Sequence, residues 1–186
     1  RIVVRDLLDS GYKVFCADLY REGSGKNLSQ YPGTPFEFID LRKYDAFKSF
    51  IKKTPAKVII NCAEGDWNHD VYRVCLEEKR HVIDLGSDIP VTKAQISMSP
   101  DFRKADLAAI TGCGSTPGIN NIMLKHASQF FSEIDTIELG FAWDSNVKKF
   151  VVPFSIESII EELTDAAPVV ENEKWMEKKG MTISQD

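Results

Sequence analysis

The chain is predicted to be an α/β protein: a doubly wound parallel sheet followed by part of an α+β unit. Three observations carry that prediction. Apolar runs alternate with amphipathic stretches at the spacing of βαβ units as far as Thr111. The runs KVFCAD, KVIIN and HVIDL are continuous rather than alternating, as strands covered on both faces are. After Phe131 the pattern changes to half-exposed alternation with short turns, which belongs to antiparallel strands.

The elements follow in order. Arg1 to Ser10 separates Ile2, Val3, Leu7 and Leu8 from its charged residues, a short helix stopped by Gly11. Lys13 to Asp18 is a buried strand ending in an acid, and Leu19 to Pro35 is a polar loop rich in Gly and Ser. Phe36 to Ile39 is a second strand that ends at Asp40. Lys43 to Lys53 sets Ala46, Phe47, Phe50 and Ile51 on one helical face, and Lys57 to Asn61 is the third strand. Trp67 to Glu78 is a helix with Val71, Val74 and Cys75 inward, and His81 to Leu85 is the fourth strand. A helical stretch from Thr92 to Lys104, broken near Pro100, leads to the fifth strand, Asp106 to Thr111. Ile134 to Trp143 and Lys148 to Val152 are expected to pair antiparallel, and Ser155 to cap a helix through Leu163. Pro168 to Trp175 is a further strand with a turn near Asn172.

Composition narrows the partners. The net charge of -5, with no basic patch, argues against nucleic acid or an anionic membrane surface. No apolar run approaches a membrane span. The four cysteines share no zinc-ligand spacing and the three histidines are scattered, so no metal site is expected. Buried reduced thiols are the default, consistent with a cytoplasmic protein.

Ligands of such sheets bind at the carboxyl ends of the strands. Those ends are Asp18, Asp40 with Leu41, the turn at Cys62 and Ala63, Leu85 with Gly86, and the stretch from Gly112 to Gly118. In TGCGSTPGINN, Gly112 and Gly114 permit a tight turn and close approach to a flat ligand, Thr116 reads as an N-cap, and Pro117 suits the first helical position. An ordinary structural connection is the alternative.

A helix at the very start, then Asp18 at the end of the following strand, is the layout of a Rossmann-like dinucleotide fold whose first strand and glycine turn are missing. The chain is accordingly expected to be an internal fragment. Residues 1–116 form its NAD(P)-binding domain; residues 117–186 form a linking helix and the start of a substrate and dimerisation domain. A carboxylate at Asp18 accepts hydrogen bonds from the ribose hydroxyls and repels a 2′-phosphate, which favours NAD, while the nearby Arg21 keeps NADP open. A solvated strand-end acid is the plain alternative.

Three blocks resemble the saccharopine dehydrogenase-like reductases: HVIDLGSD, then Gly114, Pro117, Gly118 and Asn121 as G-x-x-P-G-x-x-N, then FSIESIIEELTDAAPVVENEKW. The resemblance covers nearly the whole chain. It implies an NAD(P)-dependent oxidoreductase acting at a carbon–nitrogen bond of an amino-acid or polyamine-like substrate, dimeric when full length. Two departures stand out: the glycine-rich fingerprint is absent, and the usual Asn-Gly turn of the last block reads Asn172-Glu173.

Proton transfer at a substrate nitrogen needs an acid or base nearby. Asp84 and Asp88 are the carboxylates nearest the expected cleft in sequence, with helix capping or pairing to an arginine as their plain alternatives. Asn121 is a candidate for holding the substrate, or an ordinary polar position on its helix. Tyr44 and Lys48 have the Y-x-x-x-K spacing of short-chain dehydrogenases but fall on the wrong helix. A cofactor-binding regulatory module and a sugar-nucleotide epimerase-like protein are the rival functions; the second needs a Tyr/Lys pair at the cleft.

Overall fold

In the computed structural model, residues 2–20, 31–86, 88–139, 156, 160 and 163–179 are described. Helix α1 (Ile2–Asp9) leads to β1 (Cys16–Asp18), which pairs in parallel with β2 (Phe36–Phe38). Next come α2 (Tyr44–Lys53), β3 (Val58–Asn61), a short 3₁₀ turn at Gly65–Trp67, α3 (Asn68–Glu77) and β4 (His81–Asp84). Helices α4 (Ile89–Ser97) and α5 (Ser99–Lys104) lead to β5 (Ala109–Ile110), and α6 (Ile119–Ala127) follows. Strands β3, β4 and β5 form a parallel sheet in that order, hydrogen-bonded separately from β1–β2. The register sets Asn61 beside Asp84 and Ile83 beside Ile110, so the carboxyl ends of the three strands lie level.

Helical spacing explains which side chains are buried. Phe47 and Ile51 lie one turn apart on α2, and Val71, Tyr72, Val74 and Cys75 fill one face of α3. They pack with Ile39, Val82 and Phe102 into a single core. Each such side chain contributes about 1.5–3 kcal/mol when removed fully from water. Outside the core, Lys48 Nζ on α2 meets Glu77 Oε2 on α3 at 2.7 Å, and Tyr44 donates to Glu77 Oε1 at 3.1 Å. The Tyr44–Lys48 pair thus ties two helices together through Glu77.

Several elements differ from the sequence expectation. Strand β1 begins at Cys16 rather than Lys13: its partner ladder stops at Pro35, which accepts from the Cys16 N–H but has no N–H of its own. Strand β5 is shorter than Asp106 to Thr111, because Asp106 takes a positive φ of 56° in the turn that leaves α5. The helix expected from Thr92 begins earlier, at Ile89, because the Asp88 carboxylate accepts the Val91 N–H at 3.1 Å. It breaks at Met98, and Pro100 falls in the first turn of α5, where a missing N–H costs nothing.

The chain divides into two compact units, Arg1–Asp135 and Thr136–Asp186, so α6 belongs with the parallel sheets. Residues 134–139 form no strand, whereas Ala166–Glu171 (β6) and Lys174–Lys179 (β7) form an antiparallel hairpin about Asn172 and Glu173. The expected strand at Lys148 to Val152, the capping Ser155 and Arg21 lie outside the described residues. Ile156, Ile160 and Leu163 are helical. Among the described residues, no helix is long and apolar enough to cross a membrane.

Candidate functional site

The carboxyl edge of β3–β4–β5 is built around one buried side chain. Asp84, the last residue of β4, is fully buried, and its two oxygens accept four hydrogen bonds. Oδ1 accepts the Gly86 N–H at 2.6 Å and the Gly112 N–H at 3.0 Å. Oδ2 accepts the Tyr72 hydroxyl at 2.5 Å and Gln95 Nε2 at 2.6 Å. The main chain joins in: Cys113 N–H donates to the Asp84 carbonyl at 2.8 Å. A buried carboxylate is tolerable only with its lone pairs occupied, and here they are. Asp84, expected from the sequence as a proton-transfer candidate, has its oxygens facing donors of its own fold. Tyr72 lies in the core with its hydroxyl also 3.0 Å from the Ile110 carbonyl. Burial first, then the bond to Asp84, pushes its phenol well above the usual tyrosine range.

Around Asp84 the two turns touch. A Cβ on Gly86 would stand 2.7 Å from the Gly112 Cα and 3.1 Å from Pro117 Cγ, so the Leu85–Gly86 turn lies directly against the next one. Gly118 has φ 136°, and a Cβ there would meet the Gly114 carbonyl oxygen at 2.0 Å. A Cβ on Gly114 would likewise stand 2.6 Å from the Leu85 carbonyl oxygen and one on Gly112 3.1 Å from Pro117 Cγ, so packing of the turns on one another already calls for glycine at the two positions where the sequence pointed to close approach of a ligand. Pro117 closes over Gly112 and follows a cis peptide bond. The N-cap of α6 is Gly118 rather than Thr116, and Pro117 precedes the helix instead of opening it. Asn121 reaches back with Oδ1 to the Gly118 N–H at 3.2 Å, and Asn120 Oδ1 lies at the same distance from it. Asn121 thus serves first as a cap for its own helix, and its side chain is exposed.

The outer surface of this edge is open. Cys62, Ala63, Leu85, Cys113 and Pro117 are exposed, and Gly86, Gly112 and Gly114 are half-buried beneath them. Asn61, just below, is held inside by Asn68, with its Oδ1 accepting the Ala63 N–H at 3.2 Å. The Gly86 and Gly112 amides are engaged inward by Asp84, so at these two turns a visitor meets methylenes and aliphatic carbons rather than free N–H donors. Cys62 is pushed up by the protein packed beside its thiol although the residue is exposed.

The other expected residues lie at the ends of β1 and β2. Asp18 ends β1, is exposed, and accepts the Tyr20 N–H at 3.1 Å. Asp40 is held by Arg42, whose Nε and Nη2 reach its two oxygens at 2.8 Å each. That pairing keeps the Asp40 carboxyl below the usual range. Leu41 packs against the core. Asp88 caps α4 and is exposed. Tyr72 and Gln95 were not singled out in the sequence. A tyrosine within the apolar face of α3 was the available signal, since a buried hydroxyl needs a partner. Among the described residues, no group of three or more His, Cys, Asp or Glu side chains could hold a metal ion.

No protein-family model matches the chain, and no curated protein matches it significantly in sequence. Among solved structures it is similar to saccharopine dehydrogenase (L-Glu forming) from Saccharomyces cerevisiae, with a TM-score of 0.51 and 18% identity over 63% of this chain. The chain covers 24% of the length of that protein. At this identity the likeness is one of fold: the chain has a Rossmann-like α/β architecture, distantly similar to that of saccharopine dehydrogenase.

Proposed function

We propose that the chain is the cofactor-holding part of an NAD(P)-dependent oxidoreductase of the saccharopine dehydrogenase type, acting at a carbon–nitrogen bond of an amino-acid or polyamine-like substrate. One observation supports this above the others. At the open edge of β3–β4–β5 the Gly86 and Gly112 amides are engaged inward by Asp84, which suits a flat ring at these turns better than a phosphate.

The residues present fit such a cofactor. Cys62, Ala63, Leu85, Gly86, Gly112, Gly114, Pro117 and Gly118 would line the nicotinamide end. Asp18 would take the ribose hydroxyls, with Asp40 and Leu41 beside it, and its carboxylate favours NAD over NADP. When bound, the cofactor supplies the hydride acceptor or donor. The chain supplies position and exclusion of water. Asp84 holds the turns in place. Asp88, exposed and with lone pairs beyond the one that caps α4, is the carboxylate we assign to proton transfer at the substrate nitrogen. Asn121 would present its amide nitrogen to a substrate carboxylate.

The test follows NADH absorbance while the full-length protein is offered amino acids paired with aldehydes or keto acids. Turnover with at least one pair is expected, and Asp88→Asn should lower kcat about 10²-fold or more with little change in NADH affinity. NADH binding without turnover for any pair would favour a cofactor-binding regulatory module, a reading supported by the inward engagement of Asp84. No NADH binding would overturn both.

A further inference from the structure

We infer that Tyr72 and Gln95 are positioning residues: from two different helices, and through Asp84, they set the placement of the Gly86 and Gly112 turns at the open edge. The inference rests on the reading above that this edge receives a ligand; the geometry behind it does not.

Asp84 divides its work by oxygen. Oδ2 faces the helices, taking Tyr72 from α3 and Gln95 from α4. Oδ1 faces the turns, taking Gly86 and Gly112. A carboxylate is planar and rigid, so fixing one oxygen with two donors fixes the direction of the other. The turns then have little freedom, because the Gly86 and Gly112 backbones are already in contact. Gln95 is buried, and among the described residues its Oε1 has no hydrogen-bond partner. A buried orphan acceptor is costly, and it persists here beside a donor contact of 2.6 Å to Asp84. Tyr72 is held in turn by an edge-on contact with Phe102, ring centres 5.8 Å apart. Neither Tyr72 nor Gln95 has side-chain surface at the edge; both are buried. Their effect on a ligand would be transmitted by the carboxylate between them, with Tyr72 also reaching the Ile110 carbonyl at the end of β5.

The experiment compares the full chain with Tyr72→Phe, Gln95→Met and the control Phe47→Leu, which disturbs the same core from α2. Amide hydrogen exchange is read at Gly86, Gly112 and the strand residue Val82, and NADH affinity by fluorescence titration. The expected result is exchange at Gly86 and Gly112 faster by about tenfold in Tyr72→Phe and Gln95→Met, with Val82 unchanged, and an NADH Kd raised about tenfold. Phe47→Leu should quicken Val82 and the glycines together and leave the Kd of the folded fraction unchanged. Unchanged glycine exchange in both test variants overturns the inference, as does a rise shared equally with Val82. Local quickening with an unchanged Kd overturns the link to the ligand. If the unaltered protein binds no NADH while the glycine response is present, the cofactor reading fails and the positioning role stands.

Discussion

Glu173 occupies a backbone conformation that side chains resist. Asn172 and Glu173 join β6 to β7 with φ of 50° and 63°. Positive φ at both central residues is the signature of a two-residue hairpin turn whose preferred sequence is Asn-Gly. Asn172 tolerates the left-handed region because its short amide bonds locally; Glu173 has no such compensation. Replacing Glu173 by glycine should stabilise the hairpin by about 1 kcal/mol, a gain tempered by the extra freedom glycine has when unfolded. Cross-strand amide exchange between Val169 and Met176 measures it; slower exchange is expected, and faster exchange would remove the argument. The same residue is where the last sequence block departs from the pattern it resembles. At this scale the sequence was informative about Asn172 as a turn and silent about Asp84. The acid could be placed at a strand end from HVIDL alone, but its partners come from Tyr72 twelve residues earlier and Gln95 eleven later. Those separations cross two helix packings that local pattern does not encode.

The α2–α3 contact shows how charge couples elements. Lys48, first, and Tyr44 hold the Glu77 carboxyl below its usual range, while Glu77 holds the Lys48 ammonium above its own. A depressed carboxyl contributes stability above its unfolded pKa and loses it as pH falls through the lower folded value. A raised ammonium contributes below its unfolded pKa and loses it as pH rises through the higher folded one. The link is therefore strongest between the carboxylate and ammonium ranges. Comparing melting temperatures with Lys48→Met, the unaltered protein should lead at about pH 7, and the lead should close by about pH 2. A lead that persists in strong acid would show that Lys48 acts by packing its aliphatic stem. Elements were legible where one pattern sufficed, as with α2, whose apolar spacing begins within a residue of the observed helix. They were misplaced where a loop decides. The start of α6 reads as a Thr-Pro cap, yet the turn is closed by Pro117 lying on Gly112, a contact between positions that a helix-start pattern treats separately.

At the scale of the molecule, the core sits between α2, α3, α5 and β4, and Cys75 is one of its members with no exposed surface. Burial pushes its thiol up to about 12, so at neutral pH it is neither ionised nor reachable. In a variant that keeps Cys75 while Cys16, Cys62 and Cys113 are serine, thiol labelling should wait on unfolding and accelerate with denaturant. Prompt labelling in native buffer would mean that the core opens locally. The alternation of strands and helices was legible because each apolar run must find a covered position in the same sheet. The arrangement at the carboxyl edge was not, because it depends on which turn rests on which.

The inward commitment of Gly86 and Gly112 to Asp84 has a consequence for how this edge meets its visitor. Two amides already bound to a carboxylate hold no water of their own and need not shed any to receive a flat face. The contribution of these two turns to the grip therefore comes from shape.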